Sequence, residues 1–201
     1  MAAATVEPLF VRSLGTTQRA RMLDAMVRVV ARSGYVDVTV ADVVAAAGVS
    51  RRTFYEQFDD KLDCFLAAYE TGSESILARI ESHLRRLRDG DWHHRLRAGL
   101  SVYTETLAAD PEFARLLLID VLGAGPRALE LRERVLWRFV DHYRGLGVDD
   151  DQILRGLVGG VAELVEARIL AGGAADLPDL TDTLVRFASA VLEGAADRRK
   201  P

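Results

Sequence analysis

The chain has 201 residues, 49% of them hydrophobic and only five of them proline, which excludes extensive disorder. No apolar run reaches the roughly 20 residues of a membrane span, and a single cysteine, Cys64, rules out an intrachain disulfide and fits a reducing cytosol. The formal net charge of −4 argues against a nucleic-acid partner, but residues 1–65 hold eight Lys/Arg and eight Asp/Glu, so the whole acidic excess lies in residues 66–201.

In chain order, residues 1–16 lack the basic-then-apolar order of a secretory signal and read as a flexible arm. Ala, Leu, Arg and Glu are abundant throughout, which favours helix. Residues 17–34 carry Ala20, Leu23, Val27 and Val30 on one stripe. Thr16 or Thr17 is the expected cap and Gly34 the stop. Thr39 then caps a short helix with Asp42 three residues on, an approximate capping box. Val40, Val43, Val44 and Ala47 form its inner face, and Gly48 ends it. Ser50 caps a third helix, expected to reach Phe58. Val49 and Phe54 have the spacing of a hydrophobic staple, and Phe54 and Phe58 share one face. A long helix follows from Asp59 or Asp60 to about Arg88, with Gly72 as an expected bend. Cys64 in it reads as a buried filler in preference to a redox sensor.

Asp91–Ala109 carries Leu96, Leu100, Tyr103 and Leu107 on one stripe. Pro111 opens a helix expected to run to Leu122, and Pro126 another to Leu146. Residues 149–171 and 179–196 are the last two, divided by Gly172, Gly173 and Pro178. The fold class is therefore all-α with about nine helices. The expected domains are a small N-terminal unit at 17–62, after the arm at 1–16, and a larger unit at 63–201.

A short helix, a glycine turn and a second short helix make the helix-turn-helix arrangement, although two small helices with a glycine between them also occur in folds that never touch DNA. With Phe54 and Phe58 inward, Arg52, Thr53, Tyr55 and Glu56 lie outward. Arg52 suits guanine O6 and N7 or a phosphate. Thr53 and Tyr55 suit phosphate through their hydroxyls. Glu56 repels phosphate but can accept from cytosine N4. Arg51 and Gln57 flank this face, and Lys61 is placed for a phosphate.

The run Gly48-Val49-Ser50-Arg51-Arg52-Thr53-Phe54-Tyr55-Glu56-Gln57-Phe58-Asp59-Asp60-Lys61 fits Gly-Val-Ser-x-x-Thr-Phe-Tyr-x-x-Phe-x-x-Lys. With Gly34-Tyr35 and Thr39–Ala47 before it, the segment resembles the tetracycline-repressor (TetR/AcrR) family over about residues 17–65. The resemblance implies an all-α homodimer with a ligand pocket in its larger domain. It also implies DNA contacts at Thr39, Ser50, Arg51, Arg52, Thr53, Tyr55, Gln57 and Lys61. The family often has histidine where Gln57 stands, and Glu56, Asp59 and Asp60 together are less usual, pointing to salt-sensitive affinity.

In the larger domain, Ile153, Leu157, Val161 and Leu164 form one stripe beside Gly156, Gly159 and Gly160. Leu180, Leu184, Phe187, Val191 and Leu192 form another. They suit either packing within the chain or a four-helix dimer interface. The resemblance favours an interface at Ile153, Leu157, Gly160, Val161, Leu164, Leu184, Phe187 and Val191. Tyr103, Phe113, Leu117, Trp137, Phe139 and Glu163 are candidate pocket walls, each also readable as plain core, for an effector that their composition suggests is hydrophobic. Trp92-His93-His94 lacks a third metal ligand in register, so neither metal nor cofactor is expected. Glu163, Glu166 and Arg168 suit salt bridging. There is no phosphate loop, nucleophile elbow or paired acid-base set, so an enzyme is not expected. The function expected is a ligand-responsive repressor in the cytosol, binding palindromic operator DNA as a dimer. An activator or ligand-independent regulator, or a helical scaffold that never binds DNA, are the alternatives.

Overall fold

The computed structural model describes residues 17–87, 91–144 and 148–197. The expected arm at 1–16 and the predicted helix ends at Arg88 and Leu146 lie outside them. Among the described residues there are nine α-helices and no strand. They are α1 (Gln18–Ser33), α2 (Val40–Ala47), α3 (Arg51–Tyr55), α4 (Lys61–Arg86), α5 (Trp92–Ala109), α6 (Pro111–Leu118), α7 (Pro126–Tyr143), α8 (Asp151–Leu170) and α9 (Thr181–Asp197). Short 3₁₀ turns occupy Asp120–Gly123 and Ala174–Leu180.

The chain packs as two compact units, Met1–Ile76 with Ala109–Leu131, and Leu77–Ala108 with Arg132–Pro201. The division at residue 62 separates the chain by expected role, whereas these units separate it by packing, and α4 runs through both boundaries.

In the first unit, Thr17 opens α1 by accepting from the Ala20 N–H at 3.1 Å, and Gly34, at φ +75°, closes it. The buried face of α1 includes Met22, Leu23, Met26 and Val30, and the helix packs on α2 and α6. Cys64 is buried here, with its Sγ 3.9 Å from the Met22 carbonyl. Burial pushes its thiol up to about 12, so it stays protonated at neutral pH, as suits a filler.

Gly72 does not interrupt α4. The helix is continuous from Lys61 to Arg86, and a Cβ at Gly72 would clash with the Phe113 ring of α6. The glycine is required by close packing of two helices. The helix opened by Pro111 is capped by Asp110, which accepts from the Phe113 N–H at 3.0 Å. It stops four residues earlier than predicted. Leu122 and Ala124 donate to carbonyls three residues back, tightening the chain into the 3₁₀ turn that carries the buried Asp120.

In the second unit α8 and α9 pack on each other. The break predicted between them is a 3₁₀ turn that ends where α9 begins. Deep in this unit the Thr104 and Thr181 hydroxyls meet at 2.9 Å, so these two buried hydroxyls partner each other.

Candidate nucleic-acid interface

The interface is assembled from local hydrogen bonds. At the start of α2 the Thr39 N–H and hydroxyl both donate to Asp42 Oδ2, at 2.8 and 2.6 Å, and the Asp42 N–H donates to Thr39 Oγ1 at 3.3 Å. This is a complete capping box. The Thr39 hydroxyl, then its N–H, hold the Asp42 carboxyl below the ordinary carboxylate range. At the far end Gly48 has φ +63° and ψ +42°, a left-handed conformation that a side chain would strain. Ser50 then caps α3 by accepting from the Thr53 N–H at 3.0 Å, and the Ser50 and Thr53 hydroxyls lie 2.9 Å apart.

Regular α3 is shorter than predicted, ending at Tyr55 rather than Phe58. Gln57 and Phe58 both donate to the Phe54 carbonyl, at 3.0 and 2.9 Å, which winds the chain into a turn. A five-residue helix has little macrodipole, so side chains must carry recognition. The turn still places Phe58 5.4 Å from Phe54, and both rings are buried. With them anchored, Arg51, Arg52, Tyr55 and Gln57 are exposed and Thr53 is half-buried. Tyr55 rests its ring on the edge of Phe54 at 5.5 Å and leaves 52% of its surface open. The Arg52 side chain is 89% exposed, and its Nε donates to Glu56 Oε1 at 2.9 Å.

Lys61 stands apart from this set. Its ammonium donates to the carbonyls of Tyr35, Val36 and Val38 at 2.9, 3.4 and 2.7 Å and lies 4.2 Å from the Tyr35 ring centre. All three of its N–H groups are used to brace the α1–α2 connector. A phosphate contact would have to replace one of them. Sequence reasoning missed a second brace. Arg19 of α1 donates to the Gln57 carbonyl at 3.1 Å and covers the Phe58 ring at 4.5 Å, tying the end of the reading segment to α1. No local pattern marks it, because its partners lie in a different helix-turn unit of the chain.

The candidate pocket residues divide between the units. Phe113 and Leu117 are buried in the first, with Phe113 seated against Gly72. In the second, the Tyr103 and Phe139 rings meet edge-on at 5.9 Å, Trp137 is half-buried and Glu163 is exposed. Nearby, Arg155 grips Glu133 with two hydrogen bonds of 3.0 and 2.7 Å, which hold the Glu133 carboxyl low. Burial and the neighbouring Glu163 raise the Glu166 carboxyl, while Arg132 opposes them.

The candidate dimer stripe also divides. Leu157, Val161 and Leu184 are covered by their own chain, and the Phe187 ring lies 2.5 Å from where a Cβ on Gly160 would stand. Leu157, Val161 and Leu184 serve intrachain packing. Ile153, Leu164, Phe187 and Val191 remain half-buried. His93, considered above for metal, pairs with Glu193 at 2.9 Å. Among the described residues no group of three or more His, Cys, Asp or Glu side chains converges.

Residues 22–68, which include all of α2, α3 and their turn, match the family model for bacterial regulatory proteins, tetR family. Residues 22–68 are thus a tetR-family segment, and the described residues share the all-α fold of the solved structures that the chain resembles. The chain is 28% identical over 151 residues to the HTH-type transcriptional regulator CymR of Pseudomonas putida, covering 69% of this chain and 72% of CymR. It is 26% identical over 100 residues to the HTH-type transcriptional activator FasR of Mycolicibacterium smegmatis, covering 50% of this chain and 45% of FasR. Its fold is similar to that of the transcriptional regulator FadR from Bacillus subtilis in complex with stearoyl-CoA, with a TM-score of 0.75 and 19% identity over 84% of this chain and 96% of that one. The TetR match spans the whole reading segment and its Lys61 brace. The FadR likeness covers 84% of this chain and so reaches beyond the family-model match.

Proposed function

We propose that this protein is a TetR-family, ligand-responsive repressor that binds a two-fold operator as a homodimer. The observation that carries the reading is the sorting of α3 and its flanks. Phe54 and Phe58 are buried, so Arg51, Arg52, Tyr55 and Gln57 face outward together. In this reading Arg52 reads a base, while Thr39, Ser50, Arg51, Thr53, Tyr55 and Gln57 position the backbone. Lys61 supports the same face by holding the connector, and contributes its charge to phosphate. The half-buried apolar residues of α8 and α9, Ile153, Leu164, Phe187 and Val191, favour a second copy as partner. Two copies related by a two-fold axis would read half-sites about one or more turns of 34 Å apart.

The effector proposed is a molecule with a long apolar chain, bound by the 63–201 region. Two things support that class: the aromatic and aliphatic character of Tyr103, Trp137 and Phe139, and the fold shared with a FadR that was solved with stearoyl-CoA. The effector must prefer the arrangement that does not bind DNA, because equal affinity for both would shift nothing. The name of FasR keeps an activator as the alternative sign. Reporter output with and without the protein separates the two.

The test is an anisotropy titration of the DNA flanking the protein's own gene against a scrambled duplex at moderate salt, repeated with stearoyl-CoA. Preferential binding that the acyl-CoA weakens is expected. Equal affinity for both duplexes would refute the DNA reading. Unchanged affinity with acyl-CoA would refute that effector class alone.

A further inference from the structure

We infer that Glu56 is a positioning residue that sets sequence specificity by holding Arg52 side-on, an inference that rests on the proposed DNA reading. Glu56 follows Arg52 by one helical turn, and its Oε1 accepts from Arg52 Nε at 2.9 Å. The bond engages the inner edge of the guanidinium. The Nη1 and Nη2 groups at its outer end make no hydrogen bond among the described residues. Those two groups form the fork that matches O6 and N7 of guanine. An arginine that is 89% exposed otherwise samples many rotamers, and ordering it on a base costs conformational entropy. Holding Nε removes part of that cost before the duplex arrives.

The charge of Glu56 acts in the same direction. Its side chain is 54% exposed on the reading face, so it repels phosphate at every site. Only where Arg52 meets its guanine is that repulsion offset by a contact that Glu56 itself improves. Glu56 therefore lowers affinity for random duplex and raises it for the correct one, and the ratio of the two is what specificity measures. This gives a role to a carboxylate that stands among the exposed Arg51, Arg52, Tyr55 and Gln57.

The experiment compares the wild-type full-length chain, Arg52→Ala, Glu56→Ala and the double variant. Each is titrated with operator duplexes carrying every single-base change and with random duplex. Thermal melts serve as the fold control, and Glu56→Gln, which keeps an acceptor without the charge, is a second probe. Arg52→Ala should abolish the guanine preference at one base pair of each half-site. Glu56→Ala should relax that same position by roughly two- to fivefold, the scale of a helical ion pair acting on a bidentate base contact. It should also tighten binding to random duplex, and in the Arg52→Ala background it should cause no further loss at that base. Glu56→Gln should fall between wild type and Glu56→Ala.

An unaltered base profile in Glu56→Ala would overturn the proposal. So would a preference lost at a different base pair, and lost equally without Arg52, because Glu56 would then read cytosine itself. A wild-type chain with no sequence preference would overturn the DNA reading, and this inference with it.

Discussion

Between Thr39 and Lys61 the buried and the exposed side chains are sorted by local contacts. Phe54 and Phe58 anchor, Thr39, Asp42 and Ser50 cap, and Arg51, Arg52 and Tyr55 stand in solvent. Along α8 and α9 the apolar residues divide between burial in the chain and, in the proposed reading, contact with a second copy. Leu157, Val161 and Leu184 are covered by the chain, while Ile153, Leu164, Phe187 and Val191 are half open on the same two helices. The contrast teaches that a motif built from contacts a few residues apart announces its outward face. A helix pair that serves both core and partner shows only that it is apolar.

The sharpest way to break the contrast is to remove an aromatic ring from each region. Phe54→Ala empties a fully buried site and should cost about 3–5 kcal/mol in urea unfolding. Phe187→Ala removes a half-buried ring and should cost clearly less, with its larger effect on self-association measured by sedimentation. Equal losses of stability would mean that the α8–α9 surface is ordinary core.

Next in size is Gly72→Ala, whose Cβ must displace the Phe113 ring. Overpacking of this kind costs about 1–3 kcal/mol. Adding Phe113→Leu should recover part of it, and a thermal melt of the pair of variants would show this. Full tolerance of alanine would mean that α4 and α6 are not held together there.

Lys61→Met comes third. It leaves the Tyr35, Val36 and Val38 carbonyls without their donor, a loss of about 1–2 kcal/mol for part-exposed groups. Operator affinity should fall with stability, because the connector leading to Thr39 loosens. If Lys61 instead acts only on phosphate, stability will not change and only the salt dependence of binding will flatten.

The smallest effect is at the α2 cap, where Thr39→Ala should cost about 1 kcal/mol. Because the Asp42 carboxyl is held below its ordinary range, its stabilising contribution is present at neutral pH. It fades as pH falls from about 4 through the lower folded value. Hydrogen-exchange protection factors of the α2 amides, corrected for the intrinsic pH dependence of exchange, should therefore fall in acid in the wild type. Asp42→Asn should exchange faster at neutral pH and show no such acid step.

How much of this was legible in the sequence follows the same division. Thr39 with Asp42, Gly48, Ser50 and Pro111 work within a few residues of themselves, and each sits where its spacing placed it. Lys61 reaches back 23 to 26 residues and Arg19 forward 38, and no periodicity carries such information. Gly72 looked like a bend because glycine weakens helix. The Phe113 ring that requires it lies on another helix. The end of α3 was placed too late because Phe54 and Phe58 keep helical spacing even though the chain between them tightens into a turn.

The central claim, that the outward face of α3 reads a two-fold operator, is tested most directly by selecting bound sequences from a pool of random duplexes with the full-length chain. The expected result is a palindrome whose two halves share a guanine that Arg52→Ala no longer selects, at unchanged melting temperature. Recovery of unrelated sequences, or of a single half-site without its mate, would contradict it.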